Sequence, residues 1–237
     1  LMIHNSGPYT QENDMLEYEN DPAIYFANET YGQKDSINHS FFVLDENIVI
    51  DTVFVKVFTM GEITHQDRPI LLTQTNIGKL GAAVSGVHFV PFDDPDLKKY
   101  MVIPADSNKA YIPIVFLKDQ SLNLGAVRLE LTIGSNEYFR PGIDKWRNFP
   151  LTTTAQAVKP AKWDTTWKYY FGTTWGSVKM RFIIDVTGYT EWDVIPSDYS
   201  YLTYLGALAI QKFKEYNKNN PNNPLREANG DLVEFPN

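Results

Sequence analysis

The sequence predicts a mainly β protein with an aromatic-rich helical region at its C-terminal end. Short apolar runs rich in β-branched residues recur from Ala23 to Phe149, and turn residues separate them. A clear helical period appears only after Ser197. Hydrophobic residues make up 43% of the 237 residues, which is enough to bury a core of ordinary size. We therefore expect a β-sandwich over residues 22–150 and an α-containing, tryptophan-rich domain over residues 151–237.

The residues before the sandwich are polar and acidic. Five carboxylates precede Pro22, namely Glu12, Asp14, Glu17, Glu19 and Asp21. Such a composition buries little apolar surface, so residues 1–21 are predicted to be a flexible leader or tether.

The predicted strands follow one another at short spacing, with no helical pattern between them. They are Ala23–Phe26, Ile48–Phe58, Ile70–Thr75, Tyr100–Ile103, Ala110–Leu117 and Val127–Ile133. This spacing is typical of an antiparallel sandwich, so an immunoglobulin-like β-sandwich is expected.

The C-terminal region contains three helix candidates. The spacing of Trp163, Trp167, Tyr170 and Phe171 fits one face of a short helix that Gly172 would cap. Residues 174–187 fit either a helix capped by Thr174 or a strand, because their apolar residues satisfy both periods. Ser197–Lys218 predicts a helix with Ser197 as N-cap, and Asn229-Gly230 indicates a final hairpin.

Composition and charge exclude several classes of function. A net charge of −8 without a basic stripe argues against a nucleic-acid partner. The absence of cysteine removes disulfides, thiolate metal sites and cysteine nucleophiles. The four histidines, at positions 4, 39, 65 and 88, form no metal-ligand pair in sequence.

No catalytic motif is visible, so we expect neither an enzyme nor a cofactor. The sequence lacks a nucleophile elbow, a phosphate-binding glycine loop and a dinucleotide fingerprint. A pair of carboxylates for glycoside cleavage need not be close in sequence, so a hydrolase stays an alternative that no motif supports. Asp93, Asp94 and Asp96 suit either a calcium loop or, more economically, a solvated acidic turn.

Aromatic residues provide the candidate contact sites. Trp146 and Trp192 fall on predicted loops and are the first candidates for contact with a ligand or partner. Trp175 and Tyr199 are added as further candidates. Trp163 and Trp167 are better explained as the buried face of a helix.

Several motifs, taken in order, resemble a known family. They are Asp21-Pro22-Ala23-Ile24-Tyr25-Phe26, Asp51-Thr52-Val53, Met60-Gly61, Gly86-Val87-His88-Phe89, Trp163, Tyr170-Phe171-Gly172, Ser177-x-Lys179 and Phe182-Ile183. Together they resemble a Bacteroidetes family of surface lipoproteins with a domain of unknown function. The genes of that family usually neighbour those for SusC-like TonB-dependent transporters and SusD-like lipoproteins.

The resemblance implies a location and a role. It implies export, a lipidated cysteine upstream of Leu1, and attachment to the outer face of the outer membrane. It also implies a non-catalytic accessory role in the uptake of a peptide or glycan by a SusC/SusD-like complex, with other surface lipoproteins as further partners. The alternative is a stand-alone surface carbohydrate-binding protein.

A second resemblance concerns Ala82–Leu117, which is similar to the calcium-exchanger β-repeat. It implies the same immunoglobulin-like fold. His88 stands where that pattern has an acidic residue, so calcium binding does not carry over.

Overall fold

The computed structural model describes residues 22–142 and 146–237, and the predicted leader over residues 1–21 lies outside them. The described chain forms two compact units. The first, here the sandwich unit, comprises residues 22–39 and 48–154. The second, here the helical unit, comprises residues 155–237 together with the segment 40–47. The predicted fold class, a mainly β protein with a helical C-terminal region, is confirmed.

Ten strands are described, and most of them build the sandwich unit. They are β1 (Ala23–Phe26), β2 (Ile37–Ser40), β3 (Ile50–Met60), β4 (Arg68–Pro69), β5 (Leu71–Gln74), β6 (Val102–Ile103), β7 (Lys109–Leu117), β8 (Val127–Gly134), β9 (Arg140–Pro141) and β10 (Asn148–Thr154). One four-stranded sheet has the order β7-β3-β1-β9, and another has the order β2-β10-β8-β5. β4 and β6 form a small two-stranded sheet.

Side chains that alternate along the strands make much of the core of the sandwich. In β3, Val55 and Val57 are 0% exposed. Phe54, whose side chain points to the opposite face of the strand, is 58% exposed. From the other sheet, Leu131 and Ile133 are also completely buried. The rings of Phe26 and Phe149 approach to 5.4 Å between centroids, which joins β1 of one sheet to β10 of the other.

β10 extends beyond the point where the sequence pattern changes. Strand signals were expected to end near Phe149, but pairing with β8 continues to the Thr153–Val127 pair. β-branched threonines at positions 152–154 suit a pleated surface, and Thr153 is 1% exposed.

The helical unit contains three of the four described α-helices. α1 (Pro95–Lys98) belongs to the sandwich unit, and α2 (Lys168–Phe171), α3 (Ser177–Thr187) and α4 (Tyr199–Asn219) belong to the helical unit. A π-helical turn over Trp163–Trp167 runs directly into α2, and Gly172 ends α2 with a φ of 101°, as the sequence predicted.

Residues 177–187 form a helix, which decides between the two open alternatives. Its buried residues are Lys179, Met180, Ile183 and Ile184, which follow a helical spacing. Gly176, not Thr174, occupies the N-cap position. α4 likewise begins one residue later than expected, because the carboxylate of Asp198 accepts a hydrogen bond from the Ser200 N–H.

Aromatic rings dominate the core of the helical unit. Trp163, Trp167 and Phe171 are 0% exposed, as the reading of a buried helix face anticipated. Leu202, Leu205 and Ala209 of α4 complete this core. The guanidinium of Arg181 binds the segment 40–47 to the unit through hydrogen bonds to the carbonyl oxygens of Phe42 and Leu44.

A residue distant in sequence caps α3. Glu227 lies next to the bridge between Arg226 and Leu232, where the predicted hairpin forms. Its carboxylate accepts hydrogen bonds from the backbone N–H groups of Val178 (3.0 Å) and Lys179 (3.1 Å). Those N–H groups have no partner within the helix, so the carboxylate performs the work of an N-cap side chain. A Cβ atom on Gly176 would lie only 1.9 Å from an Oε1 atom of Glu227.

We predict that Gly176→Ala displaces this carboxylate and lowers the free energy of unfolding by about 1 kcal/mol, the usual cost of a lost cap. Gly125→Ala is the matched control, because no atom lies within 4 Å of its added Cβ. In a Glu227→Ala background, Gly176→Ala should lose its effect, since the cap is already gone. Urea denaturation of the wild type and of the four variants measures these losses, and additive losses in the double variant would contradict this account.

Lys179 is a buried cation enclosed by aromatic rings. It is 2% exposed, and its ammonium lies 4.9 Å from the ring centre of Phe235 and 5.7 Å from that of Trp163. The ammonium donates a hydrogen bond to the carbonyl of Thr174. Burial lowers the pKa of Lys179 to about 8, although the carboxylates of Glu227 and Glu234 act in the opposite direction.

We predict that the helical unit gains stability between about pH 8 and pH 10.5. In this window the folded chain has released the Lys179 proton and the unfolded chain retains it, so the free energy of unfolding rises with pH. The slope for one group is at most about 1.4 kcal/mol per pH unit. Lys179→Met should lack this slope. Urea denaturation of the wild type and Lys179→Met at a series of pH values tests the prediction. A difference in the free energy of unfolding between the two proteins that stays constant with pH would contradict it.

Candidate functional site

A cavity of about 390 Å³ opens on the sandwich unit, where β1 ends and β10 begins. Its walls come from the end of β1, the loop that follows it, and the region around the start of β10. The lining residues are Phe26, Ala27, Asn28, Glu29, Thr30, Asp35, Trp146, Asn148 and Phe149. Phe26 and Phe149 belong to the sandwich core, so the cavity rests on rigid packing.

The side chain of Gln33 holds the loop that forms one wall. Its amide nitrogen donates to the carbonyl oxygens of Ala27 (2.9 Å) and Lys56 (3.0 Å). Its amide oxygen accepts from the backbone N–H of Lys56 at 2.6 Å. Gln33 therefore supplies β3 with hydrogen bonds that a neighbouring strand would otherwise provide. The loop is fixed in place before any ligand arrives.

The same loop is also closed internally. The side chain of Asn28 accepts a hydrogen bond from the Thr30 N–H and caps a 3₁₀ turn over Glu29–Tyr31. Gly32 ends the turn with a φ of 79°, a conformation that glycine adopts without strain.

Trp146 provides the aromatic wall of the cavity. It is half-buried, and its ring lies 5.8 Å from the ring of Tyr25 at an angle of 36°. Tyr25 in turn packs against Phe58 and is 3% exposed. Burial, with a smaller contribution from Tyr31, raises the pKa of Tyr25 to about 12. The support beneath Trp146 is therefore a neutral, rigid aromatic stack.

The polar lining of the cavity is acidic. Glu29 and Asp35 contribute carboxylates, and Asn28, Asn148 and Thr30 contribute amide and hydroxyl groups. Within residues 22–142 and 146–237, neither carboxylate forms an ion pair. Of the residues that the structure describes, none that lines the cavity is Lys or Arg. Such a surface accepts hydrogen bonds from hydroxyl or ammonium groups and repels anions.

The four candidate contact residues from the sequence do not come together in one site. Trp146 lies in the sandwich unit, and Trp175, Trp192 and Tyr199 lie in the helical unit. Trp175 is half-buried at the edge of the helical core, and Tyr199 is 78% exposed. The expectation that Trp192 is exposed is wrong. Trp192 lies on a loop as predicted, but it is 5% exposed and packs edge-on against Trp167 and Phe171.

The acidic turn does not form a cation site. Asp94 caps α1 by accepting a hydrogen bond from the Asp96 N–H, and the turn is solvated. Across the described residues, no group of three or more His, Cys, Asp or Glu side chains is placed to hold a metal. The calcium reading of Asp93, Asp94 and Asp96 is therefore corrected, because the role of Asp94 is a helix cap.

Sequence patterns gave no sign of two histidine networks in the sandwich unit. The ring of His39 lies 2.8 Å from the hydroxyl of Thr153 and 2.7 Å from the carboxylate of Asp51. The order of hydroxyl, imidazole and carboxylate resembles the nucleophile, base and acid of a catalytic triad. Thr153, however, is only 1% exposed, so its hydroxyl is not accessible to a substrate. Burial lowers the pKa of His39, against the influence of Asp51. The network satisfies buried polar groups inside the sandwich.

His88 forms the second network. Its Nδ1 accepts a hydrogen bond from the Val84 N–H, so in the neutral ring Nε2 carries the proton and donates to Ser121. The hydroxyl of Ser121 donates to Asp119 at 2.6 Å. Burial lowers the pKa of His88, which favours this neutral form. A ring held in this tautomer orders the turn after Ala83 and has no free nitrogen with which to accept a proton from Ser121.

No helix within the described residues combines the length and the apolar composition that crossing a bilayer requires.

Three of the solved structures that match the chain come from Bacteroides. A two-domain protein of unknown function from Bacteroides fragilis has 12% identity and a TM-score of 0.35, covering 66% of this chain and 51% of its own. A protein of unknown function from Bacteroides ovatus has 16% identity and a TM-score of 0.37, covering 58% and 45%. A further Bacteroides ovatus protein, described as a candidate carbohydrate-binding protein, has 14% identity and a TM-score of 0.35, covering 57% and 37%.

The chain thus spans about half or less of the length of these three structures. A comparison with curated proteins gives no match. A family profile, Domain of unknown function (DUF4843), matches residues 18–189, which is most of the chain. The protein therefore belongs to the family described as Domain of unknown function (DUF4843).

Proposed function

We propose that this protein is a non-catalytic surface lipoprotein that binds a glycan for an outer-membrane importer of the SusC/SusD type. The observation that carries the glycan part is the cavity at Trp146. Its walls combine an aromatic ring and amide groups with carboxylates that form no ion pair among the described residues. The importer part has a separate support, the resemblance of the sequence motifs to lipoproteins encoded beside such transporters. The two parts are tested separately.

The cavity matches the two kinds of surface on a sugar ring. A pyranose has an apolar C–H face, which the flat ring of Trp146 can desolvate at low entropic cost. Its rim of hydroxyl groups donates hydrogen bonds, and the carboxylates of Glu29 and Asp35 are strong acceptors. The Gln33 bonds fix the loop in advance, which reduces the entropy lost on binding.

The charge of the lining narrows the class of glycan. Carboxylates that form no ion pair with any described residue would repel a uronate or a sulfated sugar. The proposed ligand is therefore a neutral glycan or one that carries amino groups. Peptide, the other substrate class that the resemblance allows, is an outcome of the test.

We predict that Trp146→Ala weakens glycan binding at least tenfold, which corresponds to about 1.4 kcal/mol. Calorimetry of the purified protein against starch, xylan, mannan, chitosan oligomers and polygalacturonate identifies the ligand and measures this loss. Tyr100→Ala is the control, because Tyr100 is 55% exposed on the same unit and lies outside the cavity.

Charge variants sharpen the same experiment. The wild type should not bind polygalacturonate, and Glu29→Gln/Asp35→Asn should permit it by removing the repulsion. Equal affinity of the wild type and Trp146→Ala for every polysaccharide would overturn the cavity as the glycan site. Binding to an oligopeptide library that is lost in Trp146→Ala would replace glycan by peptide.

We also predict that the protein, isolated from native outer membranes in mild detergent, co-purifies with a TonB-dependent transporter. Mass spectrometry of the isolated complex and of the lipid-modified N-terminus checks both the partner and the anchor. If the protein binds a glycan but does not co-purify with a transporter, the stand-alone carbohydrate-binding alternative would be favoured.

A further inference from the structure

A surface at the start of α4 combines exposed tyrosine rings with carboxylates. Tyr204 is 58% exposed and Tyr201 is 40% exposed, and their rings are stacked with centroids 6.5 Å apart. The preceding loop adds Glu191, Asp193 and the 50% exposed Val194. These five residues are called the tyrosine surface below. They lie in the helical unit and take no part in the Trp146 cavity.

Buried contacts hold the loop of the tyrosine surface against α4. The hydroxyl of Tyr189 lies 2.8 Å from the carbonyl oxygen of Glu191 and 3.0 Å from that of Val194. The ring of Tyr189 lies 6.2 Å from that of Tyr201, which joins the loop to the tyrosine pair. The indole N–H of Trp167 donates to the carbonyl of Trp192. A partner would therefore meet a preformed surface, which reduces the entropic cost of association.

The charge of this region has one sign. From Ile183 to Gln211 the sequence contains Asp185, Glu191, Asp193 and Asp198, and no Lys or Arg. Asp185 lies 3.6 Å from Arg181, and Asp198 caps α4. Within the described part of the chain, Glu191 and Asp193 form no ion pair. The loop that Tyr189 links to Tyr201 thus carries two carboxylates that form no ion pair with any described residue.

We propose that the tyrosine surface binds an arginine- or lysine-bearing segment of another protein. A guanidinium or ammonium group is attracted to the face of a tyrosine ring and, at the same time, to the neighbouring carboxylates. Arginine suits both contacts, because its planar guanidinium stacks on a ring and donates two hydrogen bonds to a carboxylate. Exposed tyrosine pairs on rigid supports are typical of protein contact surfaces. An acidic partner or a nucleic acid would meet only repulsion here.

The test uses the full chain and a fluorescent peptide of alternating arginine and glycine, ten residues long. We expect saturable binding by fluorescence anisotropy, and none with the peptide in which glutamate replaces arginine. Tyr201→Ser/Tyr204→Ser should weaken binding at least fivefold. Tyr201→Phe/Tyr204→Phe should retain it within twofold, because phenylalanine preserves the ring faces.

Matched charge variants separate a local site from the net charge of −8. Glu191→Gln/Asp193→Asn should weaken binding at least fivefold. Asp93→Asn/Asp96→Asn removes the same charge from the acidic turn of the sandwich unit and should leave binding within twofold. Tyr100→Ser is the corresponding tyrosine control, and circular dichroism checks that every variant is folded.

Four outcomes would overturn the proposal. They are an absence of arginine-peptide binding by the wild type, an equal loss in both charge variants, full binding by Tyr201→Ser/Tyr204→Ser, and loss of polysaccharide binding on substitution of the tyrosine pair. The first three exclude a local cation surface, and the fourth makes the surface part of a glycan site. The first three do not bear on Trp146, and the comparison of the wild type with Trp146→Ala judges the proposed glycan cavity by itself.

Discussion

The register between β1 and β3 is the constraint from which the architecture of the candidate site follows. Pairing of Tyr25 with Phe58 places these two side chains on the same face, and the neighbouring Ile24 and Phe26 point into the sandwich core. A shift of one residue would exchange the two faces and bury the wrong set. The same pairing places Lys56 of β3 just beyond the end of β1. There the side chain of Gln33 completes the backbone hydrogen bonds of Lys56. Core, aromatic support and cavity loop thus depend on one strand pair.

Apolar residues that repeat every 2 residues in strands and about every 3.6 residues in helices let the sequence predict most of the fold. The strands near Ala23, Ile50, Lys109 and Val127 follow from runs of β-branched residues, and the last helix follows from its leucine stripe. Patterns could not decide residues 177–187, because their apolar residues satisfy both periods. The distant carboxylate of Glu227 stabilises the start of that helix, and no local window of sequence contains such a partner. The segment 40–47 joins the helical unit for a similar reason, through contacts with Arg181.

The candidate site was less predictable, because exposure of a tryptophan depends on tertiary packing. Trp146 and Trp192 both fall on loops. Trp192 packs against Phe171 of α2, Trp167 of the preceding π-helical turn and the loop residue Tyr189. Trp146 instead covers Tyr25 and keeps part of its surface open. Gln33, Glu29 and Asp35 carry no motif that marks them as a site. Only the fold of the loop after β1, which Gln33 holds, brings the two carboxylates to the wall of a cavity.

The two proposals attribute ligand selection to the same electrostatic rule and to different shapes. Both place aromatic rings beside carboxylates that lack a partner among the described residues, so both disfavour anions. The cavity encloses a volume of about 390 Å³, which suits a compact ring bearing hydroxyl groups. The tyrosine surface is open, and an open surface gains affinity only from a partner that brings its own contact area and opposite charge. Each surface is built from residues of a single unit, so the variants that test one proposal alter no residue of the other.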